Sequence, residues 1–348
     1  MRPSRTQIRL PGFRKAAMKL GIITRDEPVY SLQIYRENLE QELIKLGVEP
    51  VSLPTEQLDL GQVDLIWDPA LISARFPVAG LRNWKRPIVG TVHGLASHTL
   101  SMREFYPDPL EASVGETFNR QVAREWKWFR KKVDKVIAVS RFGAEEVITV
   151  FGVPKTKVVH IYHGVNHEVF HPAGEKHRPA KPYLLQVAQY AAKKNVDRVI
   201  EAYTQLAVES RPDLLAILPN YEGLDPDIPG LLLMRERVAN QDLVKFYRGA
   251  LAFVFPSIHE TFGLPILEAM ASGCPVITSN VTAIPELTGD AALLVNPRSV
   301  EEIYAAMHTL VEDEKLRQTL RERGLVQASK FTWERSARKH FEIFESVL

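Results

Sequence analysis

The sequence predicts an α/β protein built as two doubly wound domains facing each other across a cleft. Three observations carry that prediction. At 348 residues the chain exceeds what one hydrophobic core usually supports. Short apolar runs alternate with helical patterns along most of its length, as parallel sheets covered by helices require. Residues 166–182, NHEVFHPAGEKHRPAKP, are polar, proline-rich and without period, which marks a linker between two such halves.

The elements follow in order. Strands are expected at Leu20–Thr24, Val51–Leu53, Leu65–Trp67, Ile88–Val92, Val136–Val139 and Val158–Ile161. Helices fit between them at Leu32–Leu46, Thr117–Val133 and Arg141–Phe151, the last closed by Gly152 and Pro154. After the linker the alternation resumes with strand 183–187, helix 196–210, strands 214–218 and 231–233, helix 240–249 and strand 251–255. Helix 265–272, strands 275–278 and 291–295, one helix over 300–323 and an amphipathic helix from about 333 to 348 complete the chain. The organisation expected is a disordered extension over 1–17, with Met18 as a second candidate start, then a domain over 18–168 and a linker over 169–182. A second domain over 183–330 and a C-terminal helix over 331–348, able to pack back on the first domain, follow.

Composition narrows the function classes. Hydrophobic residues make up 45% and charged residues 25%, ordinary for a soluble globular protein. A net charge of +2 gives no argument for nucleic acid. The single cysteine, Cys274, excludes an intrachain disulfide framework and a cysteine-based zinc site, and fits a reducing compartment. It runs into a strand as Ser272-Gly273-Cys274-Pro275-Val276-Ile277, the setting of a small buried thiol. No apolar run has the length to cross a bilayer, and the basic N-terminus lacks the apolar core of a secretory signal, so a cytoplasmic protein is expected.

The stretch HETFGLPILEAMASG, His259 to Gly273, carries the first chemistry. Pro265 suits a first helical turn, so the amides near Phe262, Gly263 and Leu264 point outward with the helix dipole behind them. Gly263 lets a ligand approach the main chain without meeting a Cβ. Glu260 comes from the loop and Glu268 from one turn inside the helix; a carboxylate accepts two hydroxyls at once, as a sugar or ribose diol needs. The bland alternative is a dipole-complementing Glu268 and a solvated Glu260.

From Phe253 to Pro297 the chain resembles the donor-binding segment of the group 1 (family 4-type) retaining glycosyltransferases, whose GT-B fold sets two Rossmann-like domains across a cleft. It contains that family's E-x7-E element, Glu260 and Glu268, and its Pro-Glu-x-x-Gly-Asp-Ala run, Pro285 to Ala291. Val133–Arg141 resembles the end of the family's N-terminal domain, and Tyr162–Asn166 with Phe170–Pro172 the run before its hinge, with His163 for the usual asparagine. The likeness covers roughly residues 85–330.

The resemblance implies roles. Glu268 binds the nucleotide ribose, while Glu260, Thr261 and the Phe262-Gly263-Leu264 amides hold the donor sugar and diphosphate. Ala192-Lys193-Lys194-Asn195 resembles the family's Pro-Arg-Lys-Asn turn, which places Lys194 on the diphosphate with Lys193 nearby. Gln189 stands on the donor side where many relatives carry arginine. His93, ending a strand as Val92-His93-Gly94, takes the position of a histidine close to the reacting sugar, where either protonation state is expected to be accessible near neutrality. His160 and His163 read as local. Thus His93, Lys194 and Glu260 are the catalytic candidates, and no metal or other cofactor is expected beyond the nucleotide-sugar donor.

The first strand is followed by Thr24-Arg25-Asp26-Glu27-Pro28-Val29-Tyr30, without the glycine-rich turn common among relatives, so Arg25 and Tyr30 are candidates to line the acceptor pocket. On the helix Thr117–Val133 the stripe Val122, Trp126, Phe129, Val133 reads as core-facing and its basic residues as solvated, with peripheral membrane contact as the alternative. The function implied is transfer of a hexosyl unit, with retention, to a hydroxyl of a glycan, lipid or small acceptor. A nucleotide-sugar epimerase of the same fold and a non-catalytic nucleotide-sugar-binding protein are the alternatives.

Overall fold

The computed structural model describes residues 17–25, 30–55, 61–71, 75–106, 108–223 and 227–348. The expected extension over 1–17 lies, except for Ala17, outside the described residues, as do residues 26–29 of the turn after the first strand. The first half comprises β1 (Met18–Thr24), α1 (Tyr30–Lys45), β2 (Val48–Pro54), β3 (Leu65–Leu71), β4 (Ile88–Val92), α2 (Ala96–Thr99), α3 (Met102–Phe105), α4 (Pro109–Lys132), β5 (Lys135–Ala138), α5 (Arg141–Phe151) and β6 (Val158–His160). The second continues with β7 (Tyr183–Val187), α6 (Val196–Thr204), β8 (Asp213–Ile217), β9 (Leu231–Met234), α7 (Asn240–Gly249), β10 (Ala252–Phe255) and α8 (Leu264–Ala271). It ends with β11 (Val276–Ser279), α9 (Ile284–Thr288), β12 (Leu293–Val295), α10 (Val300–Glu312), α11 (Glu314–Ala328) and α12 (Trp333–Val347).

Each half builds one parallel sheet, ordered β2-β1-β3-β4-β5-β6 and β12-β11-β10-β7-β8-β9. Their central strands are apolar on both faces because helices cover both. In the second sheet Leu184, Val254 and Ile277 face Ile303 and Met307, while their neighbours Leu185, Phe253 and Val276 face Ile266 and Met270. The strand order reverses between β1 and β3 in one sheet and between β7 and β10 in the other. Ligands of doubly wound sheets bind beyond the carboxyl ends of the strands at such a reversal, so the loops after β7 and β10 are where chemistry belongs.

Some boundaries differ from expectation. The stretch 300–323 is two helices, because Asp313 accepts the Leu316 amide at 2.8 Å and starts α11 afresh. The helix expected from Thr117 begins at Pro109, where Asp108 accepts the amides of Leu110 and Glu111 at 2.8 and 3.0 Å. α6 stops at Thr204 rather than Ser210, where the Thr204 hydroxyl bonds back to the Glu201 carbonyl at 2.7 Å and competes with the helical ladder. On α4, Val122, Trp126 and Phe129 are buried while Arg124, Lys127 and Lys131 are exposed.

The end of the chain returns to its beginning. Trp333, Ala337 and Phe344 of α12 join Leu20, Tyr35, Leu39 and Trp67 in one buried cluster. His340 Nδ1 lies 2.8 Å from the Ser336 carbonyl, which can only accept, so Nε2 is the acceptor for the Tyr35 hydroxyl at 2.7 Å. Burial holds His340 neutral, lowering its pKa to about 4. Among the described residues no helix is long and apolar enough to cross a membrane, and no cluster of His, Cys, Asp and Glu could hold a metal ion.

Candidate active site

The loop after β10 turns into α8 at Gly263, whose φ of +108° is left-handed. A Cβ there would be strained and would also press on Ile266 at 3.1 Å. Pro265 has no N–H and the Ile266 amide donates to the Gly263 carbonyl at 3.0 Å, so the amides ahead of Pro265, those of Gly263 and Leu264, form the anion-ready end. The loop after β7 lies alongside: the Ile258 amide donates to the Lys193 carbonyl at 2.8 Å. Asn195, itself left-handed, donates to the Pro256 and Pro297 carbonyls at 2.9 and 2.6 Å.

This stitching brings Lys194 Nζ to 2.5 Å from Glu260 Oε1, with only 18% and 12% of the two side chains exposed. The ammonium also sits 5.0 Å from the centre of the Phe255 ring. Burial alone would raise the Glu260 carboxyl, but the charges of Lys194 and Lys193 outweigh it and hold it below the usual range. Glu268 behaves oppositely. Burial pushes its pKa up to about 7, and its single described partner is the Tyr247 hydroxyl at 3.5 Å. The two carboxylates of one loop and helix are thus driven apart, one firmly ionised and one titrating near neutrality. Lys194 and Glu260 meet; Glu268 stands against α7 and touches neither.

The other expected donor residues all belong to the second half, and two of them, Lys193 and Thr261, reach residues of the first. Gln189 is exposed. Lys193, its pKa lowered by burial, reaches the first half, with Nζ 5.7 Å from the Phe105 ring centre. Thr261 fills the space beside two glycines of the first half: a Cβ at Gly143 would come within 2.8 Å of its methyl, and one at Gly94 would overlap its hydroxyl. Phe262 is buried, with the edge of His163 on its ring at 4.7 Å, and Leu264 is half-buried.

His163 is therefore not local, contrary to the sequence reading. It stacks on His93 with ring centres 5.3 Å apart and 24° between planes. His93 differs from expectation too. Its Nε2 lies 2.7 Å from the Pro69 carbonyl and so carries the proton, leaving the lone pair on Nδ1. Burial lowers its pKa to about 4, so the ring is neutral, not poised, at physiological pH.

Several partners lacked a sequence signal. Arg25 forms a two-pronged pair with Asp68 of β3, at 2.7 and 2.5 Å, beside the reversal of the first sheet. The Tyr30 side chain lies outside the described residues. Glu286, quoted in the Pro-Glu-x-x-Gly run but given no role, accepts the Arg141 and Phe142 amides at 3.2 and 3.0 Å and the Tyr162 hydroxyl at 2.8 Å. Glu146 of α5 bonds to His259 at 2.8 Å, although 113 positions separate them. A surface cavity of about 560 Å³ opens elsewhere, among residues 174–178 and α7, away from both strand reversals.

Comparison with known proteins bears on the family and the fold. Residues 38–169 match the model described as Glycosyltransferase Family 4, and residues 232–326 the one described as Glycosyl transferases group 1. The O-antigen chain mannosyltransferase B of Escherichia coli is 34% identical over 217 residues, 57% of this chain and 57% of that protein. A serotype-specific mannosyltransferase WbdA of Escherichia coli is 30% identical over 239 residues, 63% of this chain and 29% of that protein. The chain thus matches little more than half the length of the first and under a third of the second. A crystal structure of a glycosyltransferase from Rickettsia africae ESF-5 superposes with a TM-score of 0.73 at 15% identity, covering 96% of this chain and 99% of that one, which shows the fold. With matching models in both halves and two parallel sheets arranged as in these structures, the chain belongs to the group 1, family 4-type glycosyltransferases and has their GT-B fold.

Proposed function

We propose that the protein is a retaining hexosyltransferase that moves a sugar from a nucleotide-diphosphate donor to a hydroxyl of a glycan, lipid-linked or small acceptor. Mannose is the first candidate, because relatives at 34% and 30% identity are named mannosyltransferases. The observation that carries the reading is the Lys194–Glu260 pair at a strand reversal, beside the Gly263 turn that starts α8.

The chemistry follows from the charges. The bond from the anomeric carbon to the diphosphate oxygen breaks, and its electron pair leaves with the diphosphate. Lys194, Lys193 and the Gly263 and Leu264 amides receive that charge. The acceptor oxygen bonds to the same face of the sugar, and its proton passes to the departing phosphate oxygen. Glu260, firmly ionised, has no proton to give, so its task is to hold sugar hydroxyls. A diphosphate competing for Lys194 frees that carboxylate for the sugar, which couples the two halves of donor recognition. Glu268 meets the ribose diol in its ionised form. His93, neutral, offers its Nδ1 lone pair to a hydroxyl. A lipid-linked acceptor would bring the basic outer face of α4 to an anionic bilayer, which vesicle co-sedimentation in low and high salt tests.

The test is release of free nucleotide from GDP-mannose, UDP-glucose, UDP-GlcNAc and ADP-glucose, with and without mannose-terminated acceptors, and NMR of the new linkage. Acceptor-dependent release with the donor's anomeric configuration kept is the expected result. Tight nucleotide binding without turnover on any acceptor would instead identify a nucleotide-sugar-binding protein, the reading that the exposed Gln189 favours.

A further inference from the structure

α5 belongs to the first half of the chain, yet the second half grips it. The Glu286 carboxylate closes its amino end, and Thr261 packs on Gly143 in its first turn. One turn on, Glu146 Oε1 accepts from His259 Nε2 at 2.8 Å and from the Thr99 hydroxyl at 2.9 Å. Glu146 and His259 are only 4% and 3% exposed. The ring edge of Phe142 lies against His259, centre to centre at 5.5 Å.

His259, Glu260 and Thr261 are consecutive. The outer two are held by the first half, and the middle one carries the carboxylate on Lys194. Glu146 keeps its second oxygen buried without a partner, an arrangement that costs free energy and that packing alone does not require. We propose that Glu146 is a positioning residue: through His259 it fixes the loop that aims Glu260 at the donor sugar, and it does so only when the two halves are closed. Closure and the grip on the sugar are then one event. The inference rests on the reading above that Glu260 meets the donor.

The experiment uses four variants of the full chain. Glu146→Met keeps the shape and removes the acceptor; the His259 N–H keeps the Thr99 hydroxyl oxygen, 3.1 Å away, as a second partner, which limits the loss of stability from removing one side of a buried pair. Its kcat for nucleotide-sugar turnover is expected to fall at least tenfold, with GDP affinity near the parent's and only a small drop in melting temperature. Glu146→Gln, which keeps an acceptor oxygen in place, is expected to restore most of the rate. His259→Leu should match Glu146→Met, and the double variant should be no slower than either, as coupled partners require. An unchanged kcat in Glu146→Met, or equal losses of kcat, GDP affinity and melting temperature, overturns the proposal. So does full additivity in the double variant. If the parent turns over no donor, the functional reading fails, and small-angle scattering of the unliganded proteins still decides the closure claim. A larger radius of gyration in Glu146→Met supports it, and identical curves refute it.

Discussion

Glu268 gives the sharpest test of the electrostatics, through the substitution Glu268→Gln. Burial raises its pKa from an ordinary 4.5 to about 7. In the unfolded chain this carboxyl ionises as pH passes 4.5; in the folded protein it keeps its proton until about 7. Folding is therefore opposed progressively between those values, and the penalty is complete above pH 7. At about 1.36 kcal/mol per pH unit the gap corresponds to about 3 kcal/mol, which solvent reaching the half-buried side chain trims to about 2 kcal/mol. Glutamine has the same shape and no charge, so it removes the penalty. Chemical denaturation of parent and variant should give equal pH trends below 4.5 and a growing advantage for glutamine through neutrality, levelling by pH 8. Nucleotide affinity should move oppositely, because the ribose diol prefers the carboxylate: in the parent it falls as pH drops below 7, and in the variant it is weak and flat. A stability difference that does not change with pH would refute the assignment of a buried, uncompensated carboxyl at this position.

Other outcomes follow from the same geometry. Lys194→Ala leaves Glu260 buried without its cation and the diphosphate without its receiver, so kcat should fall by about 100-fold or more in the nucleotide-release assay. Gly143→Val presses on Thr261 and should slow turnover while scattering shows the halves parted. His93 and His340, both lowered by burial to about 4, bind protons more weakly folded than unfolded. Their contribution to stability should therefore be full above about pH 6.5 and decline as pH falls toward 4, so that His340→Gln loses less stability than the parent over that window.

The sequence made the strands legible because buried parallel strands read as short apolar runs, and it made the donor loop legible because Gly-Leu-Pro ahead of an apolar helix has few other uses. The break at Asp313 was also open to reading, since an aspartate three residues before a leucine inside a periodic stretch is a capping signal. The interface was not legible. Glu146 and His259 are 113 positions apart, Arg25 and Asp68 are 43 apart, and neither pair leaves a periodic trace. The neutrality of His93 was equally hidden, because it comes from the depth at which neighbouring rings enclose it.

The hydrogen bond from Tyr35 to His340 spans 305 positions of chain. During synthesis the first sheet emerges long before the helix that covers one of its faces, leaving Leu20, Ile22 and Trp67 uncovered until α12 has been made. The amino-terminal half therefore completes its folding only once α12 has emerged, and a nascent chain stalled anywhere short of α12 presents an uncovered apolar face to chaperones and to its own kind.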